Sequence, residues 1–130
     1  MHPPVQSVAP LYVPDQSRAW YLRAVVAEEH GDVEEAHRAW GWAVRMDRGS
    51  AWLHLARARF LVRQGELAGA DAACLDAQEL DPDLPDAALL RAEILVARNR
   101  PDEARLLFAS ACEAGSEAAC EQVRHAHEVP

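Results

Sequence analysis

The stretch LLRAEILVARNRPDEA, residues 89–104, decides the fold because its Arg-Ala pair recurs at a fixed interval. The pair stands at three places, each 34 residues from the next: Arg23-Ala24, Arg57-Ala58 and Arg91-Ala92. A fixed period of roughly 20–50 residues is typical of repeat proteins, in which each repeat is one supersecondary unit. We therefore expect three repeats, over residues 17–50, 51–84 and 85–116.

Other residues keep the same period and predict a helix–turn–helix unit. In each window an apolar run ends at a residue suited to a left-handed turn: Gly31, Gly65 and Asn99. After each turn, two alanines flank a larger or buried residue type: Ala36, Trp40 and Ala43; Ala70, Cys74 and Ala77; Ala104, Phe108 and Ala111. Small residues there let two helices approach closely. The runs predict helices over about 17–30, 33–47, 51–64, 67–80, 86–98 and 101–114.

This pattern resembles the tetratricopeptide repeat, a helix–turn–helix unit of about 34 residues. Trp20 matches the first tryptophan of the family pattern, and the alanines of the three Arg-Ala pairs stand at its glycine place. The arginines replace the family's leucine. We expect their stems to lie along the packed face while each guanidinium pairs with a neighbouring acid. The resemblance implies an all-α fold, a right-handed α-solenoid of three repeats with a C-terminal capping helix.

The two ends of the chain differ from the repeats. Residues 1–16 hold four of the eight prolines, which predicts a proline-rich extended arm. Residues 117–130 read as a capping helix and tail, with Ser116 as its N-cap. Such a helix would cover the apolar face that the last repeat leaves open.

Composition and charge narrow the classes of function. The net charge is −8 and every basic residue is arginine, which weighs against binding nucleic acid. No apolar run is long enough for insertion into a membrane. The first residues lack the basic and apolar regions of a signal peptide, so we expect a cytoplasmic protein. The periplasm is the alternative if a signal peptide was removed. Abundant alanine and arginine without lysine is typical of a GC-rich bacterial genome.

No motif in the sequence indicates catalysis. The histidines show no metal-ligand spacing, and there is no glycine-rich phosphate loop or nucleophile elbow. We therefore expect no enzyme activity, no metal and no cofactor. Cys74 stands at a core place of its repeat and reads as a small buried residue. The spacing of Cys112 and Cys120 resembles that of Sel1-like repeats, which implies a disulfide between two helices. In a reducing cytoplasm the alternative is two thiols.

The family resemblance also implies a binding groove, because the first helix of each tetratricopeptide repeat lines the concave face. The equivalent residues here are Arg18, Tyr21, Val25, Trp52, Leu55, Arg59, Val62, Arg63, Leu89, Glu93 and Val96. The family's carboxylate clamp needs lysine and asparagine where this chain has Tyr21 and Val25, so that clamp is absent. We expect the guest to be a helix or an apolar peptide of a protein partner. The alternative is that the N-terminal arm covers part of the groove.

Trp42 is a candidate for a second surface. It follows Trp40 by two residues, which on a helix turns its side chain about 200° away, toward the outside. It is therefore either an exposed interface residue or a residue buried under the arm. Together these features predict a non-enzymatic protein–protein interaction module: an adaptor, a scaffold or an accessory subunit of a larger complex. The alternative is a chaperone or an assembly or secretion factor that holds apolar segments transiently.

Overall fold

A computed structural model describes the backbone of residues 3–128 and the side chains of residues 16–126. Every helix or strand in that range is an α-helix, which confirms the predicted all-α repeat fold. The seven helices are α1 (Pro3–Glu29), α2 (Val33–Met46), α3 (Ala51–Arg63), α4 (Leu67–Leu80), α5 (Pro85–Ala97), α6 (Pro101–Glu113) and α7 (Glu117–Glu128). None of the described helices has the length and apolar character needed to cross a bilayer.

Four tight turns share one backbone geometry. The predicted turn residues all have positive φ, at 77° for Gly31, 77° for Gly65 and 63° for Asn99, and Gly115 adds a fourth at 113°. After each of them, a backbone N–H donates to a carbonyl five residues earlier, as from Asp32 to that of Ala27 at 2.9 Å. This bond caps the preceding helix and directs the chain back along it. The turn before α7 therefore uses the same geometry as the turns inside the repeats.

The chain forms two compact units, the N-terminal unit of residues 1–53 and the C-terminal unit of residues 54–130. In the N-terminal unit, α1 packs against α2 through small residues around one large side chain. The indole of Trp40 is almost fully buried, and five alanines of the same two helices are buried as well: Ala24, Ala27, Ala36, Ala39 and Ala43. Their small side chains let the two helices approach closely.

The C-terminal unit contains the rest of α3 and helices α4 to α7. Between α5 and α6, the side chains of Ala92, Leu95 and Ala104 form one buried cluster. A second cluster, of Ala88, Ala111 and Ala119, joins α7 to α5 and α6. The hydroxyl of Ser116 accepts the N–H of Ala119 at 3.1 Å and so caps α7, as predicted.

The predicted extended arm is wrong for residues 3–16, because their backbone is helical and continuous with α1. Pro3 and Pro4 lie in the first turn, where the missing N–H costs nothing. Pro10 and Pro14 lie inside α1, where each lacks the N–H of one helical hydrogen bond and its ring crowds the preceding turn. The helix forms despite this cost, so the number of prolines did not decide the backbone conformation of this stretch.

Candidate functional site

A cleft opens on the surface of the N-terminal unit. It has a volume of about 420 Å³ and is lined by Ser17, Arg18, Tyr21, Asp47, Ser50, Trp52 and Leu53. Local capping shapes its floor, because the hydroxyl of Ser50 accepts the N–H of Leu53 at 3.1 Å and starts α3 there. The N–H of Ser50 in turn donates to the carbonyl of Asp47 at 3.3 Å. We call this feature the tyrosine–tryptophan cleft.

Aromatic packing holds one wall of the cleft in place. The ring of Tyr21 meets Trp52 edge to face, with centroids 4.9 Å apart, and meets the buried Trp40 at 5.4 Å. Trp52 itself is 52% exposed. Edge-to-face pairs of this kind contribute about 0.5–1.5 kcal/mol beyond their buried area. The cleft therefore contains a large aromatic side chain, Trp52, that is exposed to solvent and supported by its packing against Tyr21.

A second concave surface lies in the C-terminal unit, between α6 and α7 and beside the end of α5. Its volume is about 600 Å³, and it is lined by Val96, Pro101, Arg105, Leu106, Phe108, Ala109, Gln122, Val123 and Ala126. Seven of these nine residues are apolar, and Leu106 is 75% exposed. We call this feature the α6–α7 groove. An open apolar surface of this kind suits an apolar guest.

A row of aromatic and guanidinium groups runs along the seam between α1 and α2. The rings of Trp20 and Trp42 stack with centroids 5.9 Å apart and planes 24° from parallel. The guanidinium of Arg23 lies 5.1 Å from the centroid of Trp20, and that of Arg45 lies 5.1 Å from the centroid of Trp42. Both distances are in the range of cation–π interactions. We call these four side chains, together with Arg38, the arginine–tryptophan ladder.

The three cysteines fall into two groups. Cys112 in α6 and Cys120 in α7 are joined by a disulfide, with Cα atoms 4.6 Å apart. Cys74 is free and fully buried, and burial, assisted by the nearby Asp71 carboxylate, raises the pKa of its thiol to about 12. The Cys74 thiol is therefore protonated at neutral pH and unreactive, which agrees with its predicted place in the core. Within the described residues, no cluster of three or more His, Cys, Asp or Glu side chains could hold a metal ion.

The sequence profile of the tetratricopeptide repeat matches residues 7–41, 21–85 and 61–119. The chain belongs to this family. The search among curated proteins finds no match. The sequence resemblance to tetratricopeptide repeats is thus confirmed, while the likeness of the cysteine spacing to Sel1-like repeats stays a prediction.

Solved structures of other proteins share the fold. The N-terminal domain of stress-induced protein-1 (STI-1) from C. elegans has a TM-score of 0.79 at 17% identity, over 87% of this chain and 95% of that one. The first tetratricopeptide-repeat domain of Spaghetti (RPAP3), bound to the HSP90 peptide SRMEEVD, scores 0.74 at 18% identity over 88% and 92%. The Yersinia enterocolitica type III secretion chaperone SycD, in complex with a peptide of the translocator YopD, scores 0.75 at 17% identity over 85% and 92%.

In the N-terminal unit, three of the groove residues expected of a tetratricopeptide repeat line one cleft: Arg18, Tyr21 and Trp52. Val25 is half-buried outside it. The prediction missed Ser17, Asp47, Ser50 and Leu53, although the polar stretch DRGS, residues 47–50, marks a connecting turn that could contribute side chains.

In the C-terminal unit, the prediction that Leu55 lines the groove is wrong. Its side chain is only 2% exposed, because it precedes Ala58 by three residues and shares the helix face that Ala58 buries. Leu89 is half-buried against the cluster that joins α5, α6 and α7. The remaining positions are exposed or half-exposed on their helices: Arg59, Val62, Arg63, Glu93 and Val96.

Two surface features carried weak signals in the sequence. Leu106, Leu107 and Phe108 are consecutive apolar residues, and a helix in contact on one side cannot bury all three. Leu106 is the one left outside. Trp42 is 37% exposed on α2, and its stacking on Trp20 was not predicted.

Proposed function

We propose that this chain is a non-enzymatic protein–protein interaction module that binds a short peptide or helix of a partner protein in the tyrosine–tryptophan cleft. The proposal depends on one observation. The side chain of Trp52 is half exposed, and its ring packs edge to face against that of Tyr21, with centroids 4.9 Å apart. Exposed tryptophans are frequent hot spots of binding energy. A braced ring also loses little conformational freedom when a partner docks, which lowers the entropic cost of binding.

The size and polarity of the cleft indicate the class of guest. A volume of about 420 Å³ accommodates a few side chains and not a folded domain, so the guest is a short segment. Arg18, Asp47 and Ser50 lie around the aromatic wall and can orient polar groups of that segment. Two proteins of the same fold, Spaghetti and SycD, are described in complex with peptides of partner proteins, which supports this class of ligand.

The wider role follows from the family and stays part of the proposal. We infer an adaptor, a scaffold or an accessory subunit of a larger complex, with no nucleic-acid ligand, cofactor or catalytic residue. The three repeats are proposed to span residues 17–50, 51–84 and 85–116, with residues 117–130 as a capping helix and tail. The proposed compartment is the cytoplasm of a bacterium, with the periplasm as the alternative.

The α6–α7 groove favours a second candidate, a chaperone or secretion factor that holds apolar segments transiently. Leu106 is 75% exposed beside the half-exposed Val96, and a chaperone needs such an open apolar surface. The similarity in fold to the secretion chaperone SycD supports this candidate as well. The two candidates predict different behaviour, because an adaptor forms one stable complex whereas a chaperone binds many apolar segments weakly.

Selection from a random peptide library tests the first proposal directly, because it identifies peptides that bind the chain without assuming their sequence. Peptides selected on the full chain are expected to lose affinity about thirtyfold or more when Trp52 is replaced by alanine. Leu80→Ala is the control, because it truncates an exposed apolar side chain of α4 that lines neither concave surface. Selected peptides that bind Trp52→Ala as tightly as the original chain would place the binding site elsewhere.

A second measurement separates the adaptor from the chaperone. Leu106→Glu puts a charge into the α6–α7 groove, where it would weaken the capture of apolar segments. If the protein is an adaptor, this change leaves the affinity for the selected peptides within about twofold. If it is a chaperone, suppression of the aggregation of an unfolded test protein depends on Leu106 and not on Trp52.

A further inference from the structure

We propose that the arginine–tryptophan ladder is a second interaction surface, separate from the tyrosine–tryptophan cleft, and that it binds an acidic segment of a partner protein. The ladder lies along the α1–α2 seam. From one end to the other it runs from Arg45 over Trp42 and Trp20 to Arg23, and then through Glu35 to Arg38.

The ladder carries an unbalanced positive charge. Both Arg23 and Arg38 pair with the same carboxylate, that of Glu35, through its two oxygens. Among the described residues no carboxylate lies within 4.0 Å of the Arg45 guanidinium, whose contact is with the Trp42 ring. Within the described residues, the three guanidiniums of the ladder thus have one carboxylate as an ion-pair partner, and it pairs with two of them. This surplus stands out in a chain of net charge −8, in which acids outnumber arginines.

The stacked rings hold the guanidiniums in defined positions. The two indoles stack on each other, and each has a guanidinium in cation–π range, Arg23 for Trp20 and Arg45 for Trp42. What the ladder offers to a partner is a row of planar cations that are already ordered, with less side-chain entropy left to lose on binding.

Ordered guanidiniums recognise carboxylates through paired, charge-assisted hydrogen bonds. Arg45 has no carboxylate partner among the described residues and can offer its donors to such a group, whereas Arg23 and Arg38 retain donors that Glu35 does not use. An acidic segment lying along the seam would meet the guanidiniums in turn. The chemistry of the ladder therefore fits a run of Asp and Glu side chains.

The test measures the binding of a labelled oligoglutamate peptide to the full chain by fluorescence anisotropy, with oligoglutamine of equal length as the neutral probe. We expect oligoglutamate to bind, with an affinity that falls as salt is added. Arg45→Glu should weaken this binding by about tenfold or more, and Arg45→Gln by less. Arg124→Glu on α7 makes the same change in net charge at an exposed arginine of the other unit and should change the affinity less than about twofold.

Two further variants identify the surface. Trp42→Ala keeps every charge but removes the ring under Arg45, and it should also weaken binding of the probe. Trp52→Ala should leave binding of the oligoglutamate probe unchanged. This variant therefore distinguishes an error in the proposal for the tyrosine–tryptophan cleft from an error in the proposal for the ladder. The proposal is overturned by equal losses in Arg45→Glu and Arg124→Glu, by unaltered binding in Trp42→Ala, or by oligoglutamine binding as well as oligoglutamate. Tighter binding of a single-stranded oligonucleotide at the same arginines would also overturn it.

Discussion

Removing the carboxylate of Asp71 should destabilise the C-terminal unit measurably. Asp71 on α4 accepts a hydrogen bond from the Nε of Arg91 on α5 at 2.8 Å, and Nη1 of Arg98 lies 3.9 Å from its other oxygen. The side chains of Asp71 and Arg91 are only 16% and 25% exposed. Water therefore screens this pair less than the surface pairs of the chain, and the loss of one partner leaves the other poorly solvated.

The size of the expected loss in the free energy of unfolding follows from the burial of the pair and from its charges. A hydrogen bond between charged groups contributes about 1.5–3 kcal/mol, and the residual exposure here places the loss near the lower half of that range. We therefore expect Asp71→Ala to lower the free energy of unfolding by about 2 kcal/mol, equivalent to a fall of about 6 °C in melting temperature. The same argument holds for Arg91→Ala.

The assay is a double-mutant cycle followed by urea denaturation. The coupling energy of Asp71 and Arg91 should be about 1.5 kcal/mol. The control cycle uses Arg100 and Glu103, whose charged atoms are 2.7 Å apart but whose side chains are 49% and 53% exposed. Their coupling should not exceed about 0.5 kcal/mol. Distance alone would rank the two pairs equally, so equal coupling energies would refute the argument from burial, and with it the structural interpretation of Arg91.

Three other predictions concern the cysteines and the last helix. Without reductant, the native chain should not react with a thiol reagent, because Cys74 is buried and Cys112 and Cys120 are joined. The unfolded chain should take up one label, on Cys74, as counted by mass spectrometry. Three labels would show that Cys112 and Cys120 are not joined. Reducing that disulfide, which links residues eight apart, should lower the free energy of unfolding in urea by about 2.5 kcal/mol, and an unchanged midpoint would contradict this. With reductant present in both samples, a chain ending at residue 116 should melt at a lower temperature than the full chain because Ala111 loses the cover of Ala119. Equal melting temperatures would show that α7 is not a cap.

Much of the fold was predictable because it depends on local geometry. A glycine or asparagine after an apolar run predicts a left-handed turn, since few other residues adopt positive φ without strain. Gly31, Gly65 and Asn99 all occupy such turns. The alanines spaced around Trp40 are buried, as their small size and their recurrence every 34 residues indicated. Five of the six helices whose bounds were predicted begin and end within a residue of those bounds, and α1 is the exception.

The arginines of the Arg-Ala pairs show where local pattern stops being informative. Each was expected to pair with a neighbouring acid, and Arg23 and Arg91 do so. Arg23 pairs with Glu35 on the next helix of the chain, whereas Arg91 pairs with Asp71 on the helix before it. The repeat places these arginines equivalently, but the acid that each one reaches is not part of the repeat. Only the packed structure brings the particular partners within reach.

The candidate site too was predicted in part by local pattern and decided in part by packing. Sequence periodicity assigned Trp52 and Leu55 to one face of α3, yet Trp52 is half exposed and Leu55 is in the core. Helical spacing determines which side chains point in similar directions, and it is a property of one helix. Burial depends on what neighbouring helices cover, which is a property of the assembled chain. The sequence by itself thus determined the repeat family, the turns and the bounds of the helices after α1, while the tertiary structure decided which aromatic and charged side chains remain exposed.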